Sequence, residues 1–334
     1  MKEFYDVIII GAGPAGLSCA SALADSELSV LIVDKSKTLA TKACGGGITD
    51  LGSDYHIPQF KTQSFGQQTV FLNRLKFTFH LAHPLKTISR KDLSDYQISE
   101  VKKSLNIEIQ TQIIINKIEK DHIVTNFGKF GFKWLVGADG ATSQVRKYLN
   151  QPFNIRAGFS TEVQISNPKF SWYVNPRKMG SAYVWCFPHK NHANIGIYYD
   201  PEQLPPAVAR FLLNIYLNKI AGLPATLNMS GGVVNCLYSG CEFGNIFLAG
   251  DAAGLAILSS GEGISSALIS GQEVARKILD PSYAMPQLEH LLKIKNRQEK
   301  LHRIYENHPR LQYIFYVIFL LAQKSKRFQM WFGN

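Results

Sequence analysis

The hydrophobic pattern opens with an unbroken apolar run, Tyr5 to Ile10, rich in β-branched residues and closed by Gly11. A run without polar alternation predicts a strand buried on both faces. An alanine-rich stretch, Pro14 to Ala24, and a second apolar run, Ser29 to Val33, follow it. Strand, turn, helix and strand in that order predict the βαβ unit of a parallel sheet. From Ile107 to Leu135, β-rich segments break at Lys120-Asp121-His122 and at Gly128, which predicts a small meander inserted before a strand ending at Gly137. Ala157 to Tyr199 is aromatic-rich, and period-two stretches such as Ser181 to Phe187 predict a mostly antiparallel sheet. Pro188 is expected to end that strand. Gln203 to Ala221 reads as a helix, Ile246 to Ala249 as a buried strand, and Gly261 to Leu279 as a glycine-led helix. Everything from Pro286 onward reads as helical and basic.

These elements predict an α/β fold, α+β overall: a discontinuous Rossmann-like domain around a parallel sheet, a mostly antiparallel β-sheet substrate domain, and a C-terminal helical segment. The expected boundaries are 1–55, 85–155 and 240–282 for the first, 56–84 and 156–239 for the second, and 283–334 for the third.

At 334 residues and 46% hydrophobic composition, the chain can bury two coupled cores, and disordered and fibrous classes are excluded. The net charge of +11 is unevenly placed, because from Glu289 onward nine Lys or Arg, Lys295 among them, face three acids. Five scattered cysteines without a CxxC pair indicate neither a disulfide framework nor a zinc site, and fit a reducing, cytoplasmic setting. Glu3, Asp6 and the glycine cluster interrupt any signal-peptide core, so export is not expected. Leu311 to Ala322 falls short of the roughly 20 apolar residues that span a bilayer. With Lys324, Lys326, Arg327, Phe328, Met330, Trp331 and Phe332 behind it, this segment reads either as peripheral on the inner face of an anionic membrane or as a solvated basic helix. No nucleic-acid-binding motif accompanies the charge, so no nucleic-acid role is expected.

Gly11-Ala12-Gly13-Pro14-Ala15-Gly16 sits between the first strand and the first helix. Glycines there permit a tight turn, close approach of backbone to a pyrophosphate and close helix packing, while the helix start offers free N–H groups. Asp34, with Lys35 after it, ends the second strand about 20 residues on, placed to bind an adenosine ribose hydroxyl. Gly250-Asp251 closes a later strand and is followed by Gly261-Glu262-Gly263-Ile264, a second place where a carboxylate and a helix start could hold dinucleotide hydroxyls.

With Arg90 in Ser89-Arg90-Lys91-Asp92-Leu93 and with Gly137-Ala138-Asp139-Gly140 through Arg146, these elements resemble the FAD-dependent oxidoreductases of the p-hydroxybenzoate hydroxylase type of fold. Within them the chain is similar to the geranylgeranyl reductases. The resemblance implies FAD as cofactor, Arg90 near its phosphates, Asp139 and Gly140 at the edge of the site, and Asp251 holding FAD. Cys44-Gly45-Gly46-Gly47-Ile48 looks like that family's cysteine–glycine loop near the isoalloxazine ring, and Tyr183-Val184-Trp185-Cys186-Phe187-Pro188 looks like its aromatic signature. Alternation along a strand sets Tyr183, Trp185 and Phe187 on one face, as core or as a pocket lining. Two departures stand out: Tyr198 replaces a second glycine after Gly196, and Leu258 stands where proline is usual. The chain is also short for the family, which suggests a trimmed C-terminal region.

The resemblance implies reduction of carbon–carbon double bonds in a prenyl (geranylgeranyl-like) lipid or isoprenoid-tailed quinone by hydride and proton transfer. Cys44 is the candidate proton donor or a partner to one, with Tyr183 and Trp185 offering ring faces to developing positive charge. The electron donor, whether NADPH, reduced ferredoxin or a partner reductase, is not legible. The same fold also accommodates a flavin monooxygenase or halogenase, or a non-redox prenyl-lipid cyclase or lipid-binding protein.

Overall fold

The computed structural model describes residues 2–39, 42–49, 61–222 and 228–333. The expected boundary between residues 55 and 56 lies outside them. The chain opens with β1 (Phe4–Ile10), α1 (Pro14–Ala22) and β2 (Val30–Asp34). β1 and β2 pair in parallel, from Val7 with Val30 to Ile10 with Val33, as the hydrophobic pattern predicts. A short β3 (Gly47–Ile48) and a long hairpin of β4 (Gln63–Leu72) and β5 (Leu75–Thr87) precede α2 (Arg90–Val101). β6 (Ile107–Thr111) then joins β2 in parallel. β7 (Ile115–Ile118), β8 (His122–Thr125) and β9 (Gly128–Gly137) form the predicted meander, and β9 lies parallel beside β1.

After α3 (Gln144–Tyr148) come β10 (Ile155–Val163), β11 (Ser171–Val174), α4 (Pro176–Met179), β12 (Tyr183–His189), β13 (His192–Tyr199), α5 (Pro206–Ala221) and β14 (Ser230–Asn235). The chain then returns to the first sheet with β15 (Glu242–Phe243), β16 (Ile246–Leu248) and α6 (Ile264–Leu279). It finishes with α7 (Pro286–Glu306), α8 (Gln312–Ala322) and α9 (Lys326–Phe332).

Two eight-stranded sheets result. The first runs β15-β16-β9-β1-β2-β6 with β7 and β8 attached through β9, and the second runs β14-β10-β13-β12-β11-β4-β5-β3. The second sheet is antiparallel except where β11 pairs in parallel with β4. The unbroken apolar run of β1 has a direct cause: Ile8 and Ile10 feed one core with Leu31, Val33 and Leu135, while Val7 and Ile9 feed another with α1 and α6. A strand covered on both faces has no place for polar alternation.

Three expectations need correction. Pro188 does not end its strand, because β12 continues to His189 and pairs Pro188 with Ala193. Its missing N–H is tolerated because β11 on the other side pairs only with Tyr183 to Cys186. The glycine-led helix begins at Ile264 rather than Gly261, since Gly261 holds a left-handed φ of +64° that no right-handed helix admits. Lys295 is not part of a basic surface: it is buried and donates to the carbonyls of Cys236 and Ala256 and to Glu299.

Candidate active site

The glycine fingerprint is held by steric contact. A Cβ on Gly16 would lie 2.0 Å from the carbonyl oxygen of Gly11, and one on Gly11 would lie 2.3 Å from that of Ala138. Gly13, by contrast, has nothing within 4 Å above it, so the turn presents an open backbone cradle. Asp34 at the end of β2 orders this cradle, accepting from Ala12 N–H at 2.9 Å through Oδ2 and from Ser36 N–H at 2.8 Å through Oδ1. Lys35 beside it is exposed.

The other motifs converge on the same cavity of about 1150 Å³, which Gly11, Gly13, Ala15, Asp34, Lys35, Cys44, Gly45, Gly46, Arg90, Asp139, Gly250, Asp251, Gly261, Gly263 and Ile264 all line. Of the candidate residues Gly16 alone lies behind this wall, packed under Gly11. A volume beyond the roughly 300–1,000 Å³ of ordinary ligand pockets suits a dinucleotide with a second molecule beside it. Ser89 caps α2, its side chain accepting from Asp92 N–H, and thereby sets Arg90 at the first helical position. The Nε of Arg90 is buried without a partner among the described residues, and so is Oδ1 of Asp139. Asp139 Oδ2 accepts from Gln144 N–H at 2.6 Å, and burial pushes its carboxyl above the ordinary range.

Asp251 is engaged in a way the sequence did not suggest, paired with Lys42 at 2.6 Å. Oδ1 of Asp251 lies 3.1 Å from where a side chain on Gly263 would begin, so the bare start of α6 faces the carboxylate.

The cysteine–glycine loop and the aromatic strand touch directly. A Cβ on Gly45 would lie 2.9 Å from Trp185 Nε1 and 2.9 Å from the Phe187 ring, and one on Gly47 would lie 3.0 Å from Phe187. The loop must therefore lack side chains for the rings to lie against it. Gly196 plays the same part behind Trp185, where a Cβ would lie 2.2 Å from the indole. Cys44 Sγ accepts from Gly46 N–H at 3.4 Å and packs beside Ile48, Ile88, Leu93, Ile264 and Leu268. His189 anchors the loop from β12, its Nε2 lying 3.1 Å from the Gly45 carbonyl oxygen, and burial lowers its pKa.

Tyr183, Trp185 and Phe187 form the predicted stripe and line the cavity with Phe170, Trp172 and Tyr198. Trp172 meets Phe187 edge-on at 4.9 Å, and Phe170 stacks on Phe187 at 4.3 Å. The polar tips are satisfied: Trp185 Nε1 donates to Asn194 Oδ1 at 2.9 Å, and the Tyr183 hydroxyl donates to the Ser260 carbonyl. Burial holds the pKa of Tyr183 and of Tyr198 well above the ordinary tyrosine value, so both remain neutral.

Sequence reasoning gave no role to Glu262, which lines the cavity between Gly261 and Gly263. Its Oε1 accepts from Thr49 N–H at 3.1 Å, from the Thr49 hydroxyl and from the Ser265 hydroxyl at 3.3 Å, and burial raises its pKa. Sequence reasoning also missed that Tyr316, Phe319 and Leu320 of α8 close part of the cavity wall. The apolar run of α8 was the visible signal; its contact partners were not.

Residues 6–67 match the FAD binding domain family. The cradle over Gly13 and the two unpartnered groups, Arg90 Nε and Asp139 Oδ1, fit such a cofactor. The chain is similar to the FAD-dependent oxidoreductases. It is distantly homologous to reductases of isoprenoid lipids and quinones. An uncharacterized protein of Methanosarcina barkeri is 29% identical over 296 residues, covering 83% of this chain and 75% of the relative. Digeranylgeranylglycerophospholipid reductase 3 of Methanosphaera stadtmanae is 24% identical, covering 86% and 81%. The menaquinone reductase of Mycolicibacterium smegmatis is 26% identical, covering 86% and 81%. Among solved structures, a geranylgeranyl bacteriochlorophyll reductase-like protein from Thermoplasma acidophilum superposes with a TM-score of 0.73 at 17% identity, over 99% of this chain and 90% of that one. The p-nitrophenol 4-monooxygenase of Pseudomonas putida gives 0.75 at 16% identity over 99% and 96%. The fold is therefore that of the p-hydroxybenzoate hydroxylase type, common to reductases and oxygenases.

Proposed function

We propose that this flavoprotein reduces carbon–carbon double bonds in the isoprenoid chain of a lipid, either a prenyl lipid or an isoprenoid-tailed quinone. The observation that carries the reading is the aromatic-walled end of the cavity, built from Phe170, Trp172, Tyr183, Trp185, Phe187 and Tyr198, lying against the cysteine–glycine loop. An apolar chain fits such walls, and an oxygenase substrate with polar ring substituents would find their hydrogen-bonding tips already engaged. The sequence relatives named as reductases favour the same reading. In this division residues 1–55, 85–155 and 240–282 hold the flavin, while 56–84 and 156–239 hold the substrate.

Arg90 would face the cofactor phosphates, and Asp34 and Asp251 its sugars, with Lys42 shared or displaced. Reduced FAD, when bound, supplies a hydride equivalent. An isolated alkene is electron-rich, so the carbon that does not receive hydride must receive a proton, leaving a saturated bond. Cys44 and Glu262, both in the cavity wall, are the groups we assign to that task. Among the described residues the donors to Glu262 converge on Oε1, which leaves Oε2 as the oxygen we assign to the proton transfer. The faces of Tyr183 and Trp185 would stabilise positive charge as it develops, a contribution of about 0.5–2 kcal/mol each.

The test is to load the purified protein with FAD, reduce it anaerobically, add prenyl lipids and follow the products by mass. A gain of two hydrogens per bond together with flavin reoxidation supports the reading. Flavin that stays reduced with unchanged lipid would overturn it, as would conversion without reductant. Hydroxylated product on admitting oxygen would transfer the site to the oxygenases. Within the assay, Cys44→Ala should keep the flavin but slow reduction strongly, and undiminished turnover would remove the role given to Cys44.

A further inference from the structure

α8 is apolar on two opposite faces. Its inner face supplies Tyr316, Phe319 and Leu320 to the cavity wall. Its outer face carries Ile314, Ile318 and Leu321, preceded by Leu311, and these side chains are 44–58% exposed. Steps of three and four residues align them in one stripe. A surface helix bathed in water turns polar residues outward, and here the outward residues are among the most hydrophobic of the chain. α9 adds Met330 and Trp331, which are also exposed. Among the described residues no helix is long and apolar enough to cross a membrane, so the stripe is not part of a span.

The charges that flank this stripe along the chain are of one sign. Arg310, Lys324, Lys326 and Arg327 are all exposed and stand in no ion pair among the described residues, and no Asp or Glu follows Glu306 in the chain. A second copy covering the stripe would set the same cations against each other, because a two-fold interface meets itself. An anionic lipid surface complements both features at once, accepting apolar side chains at the acyl boundary and cations among the phosphates.

We propose that the outer faces of α8 and α9 dock on an anionic bilayer, with Ile314, Ile318, Leu321 and Trp331 inserted at the acyl boundary and Lys324 and Lys326 at the headgroups. The inner face of the same helix then stands between membrane and cavity, so docking would bring the aromatic wall next to the source of an isoprenoid lipid. Docking itself requires only the exposed stripe and its cations, and it is measured without turnover.

The experiment uses the FAD-loaded full chain, sedimented with vesicles of phosphatidylcholine alone or mixed with phosphatidylglycerol. The expected result is co-sedimentation with the mixed vesicles and release by salt. Ile314→Glu with Ile318→Glu, and separately Lys324→Glu with Lys326→Glu, should each lower binding on the order of tenfold or more, with the flavin spectrum retained. If the isoleucine variant loses its flavin, the lysine variant, which alters only exposed side chains, still decides. Parent protein that stays in solution with anionic vesicles overturns the proposal, as does a lysine variant that binds as the parent does. A parent that elutes as a dimer, becomes monomeric on Ile318→Glu and ignores vesicles would assign the stripe to a second copy instead.

Discussion

The hydroxyl of Tyr198 donates a 2.9 Å hydrogen bond to the carbonyl oxygen of Leu258, so the two positions at which this chain departs from its resembled family are in contact. Tyr198 also lies against Gly261, where a Cβ would come within 2.5 Å of its ring. The departures are thus one structural change: a tyrosine fills space at the aromatic end of the cavity and satisfies a carbonyl in the segment before α6. Tyr198→Phe leaves that buried carbonyl unpaired and should destabilise the protein by about 1–3 kcal/mol in urea unfolding. Tyr198→Gly opens the aromatic end and should shift preference toward bulkier chains in competition between two prenyl lipids. An unchanged preference would show that Tyr198 does not limit the substrate.

Arg90 offers a test of cofactor binding that separates affinity from stability. Its buried Nε has no partner among the described residues, so Arg90→Met removes a desolvated group from the flavin-free protein without breaking a recorded bond of that group. Flavin-free stability should be unchanged or higher, while FAD binding weakens by about 1.5–3 kcal/mol, the contribution of a charge-assisted hydrogen bond. Fluorescence titration of FAD and denaturant unfolding of the flavin-free chain check the two halves. Equal affinity for FAD would remove Arg90 from the phosphates.

Glu262 and Asp139 make the fold sensitive to pH in one direction. Burial raises both pKa values above their ordinary 4.5 and 3.8. A carboxyl so raised binds its proton more tightly folded than unfolded. Its contribution to stability is complete below the unfolded value and is lost as pH rises through the folded one. Glutamine imitates the neutral acid, accepting at Oε1 and keeping a donor at the other position. Glu262→Gln should therefore gain stability relative to the parent as pH rises from below 4.5 toward neutrality. The same variant should keep its flavin and slow alkene reduction, with altered pH dependence of the rate. A stability difference independent of pH would show that Glu262 titrates alike in the folded and unfolded chain.

The parts legible in the sequence were those whose cause is local. Gly11 holds a left-handed φ of +105° in the fingerprint turn and Gly16 lies against the Gly11 carbonyl, and the alternation that sets Tyr183, Trp185 and Phe187 on one face is a property of the strand itself. The coincidence of the cysteine loop with the aromatic signature proved to be a contact, since Gly45 and Gly47 lie against Trp185 and Phe187. Glu262 was illegible because a glutamate between glycines reads as a solvated turn, and the Thr49 that holds it is 213 residues away. Lys295 was misread because charge was counted without partners: its carbonyl acceptors belong to Cys236 and Ala256, 59 and 39 residues away. Pro188 was misread because the rule against proline in strands depends on which neighbour needs the N–H.

Arg146 shows how the two halves of the cofactor cradle are kept together. It is fully buried and donates to Pro152 O through Nε at 2.8 Å and Nη2 at 2.6 Å, to Ala252 O through Nη1 at 2.9 Å, and to Leu237 O through Nη2 at 2.7 Å. Ser239 Oγ accepts a further bond at 2.9 Å. One guanidinium thus joins the segment after Asp139 to the turn that carries Asp251, without itself lining the cavity. Arg146→Met leaves three backbone carbonyls without this donor and should cost about 3–5 kcal/mol of stability. Arg146→Lys should not restore it, because a single ammonium cannot span the directions that the planar fork serves. Since Arg146 acts through the fold, the loss should be similar with and without added FAD. Where the variant is still folded, FAD affinity should stay near that of the parent. A lysine variant as stable as the parent would show that charge alone, and not the geometry of the fork, holds these segments in place.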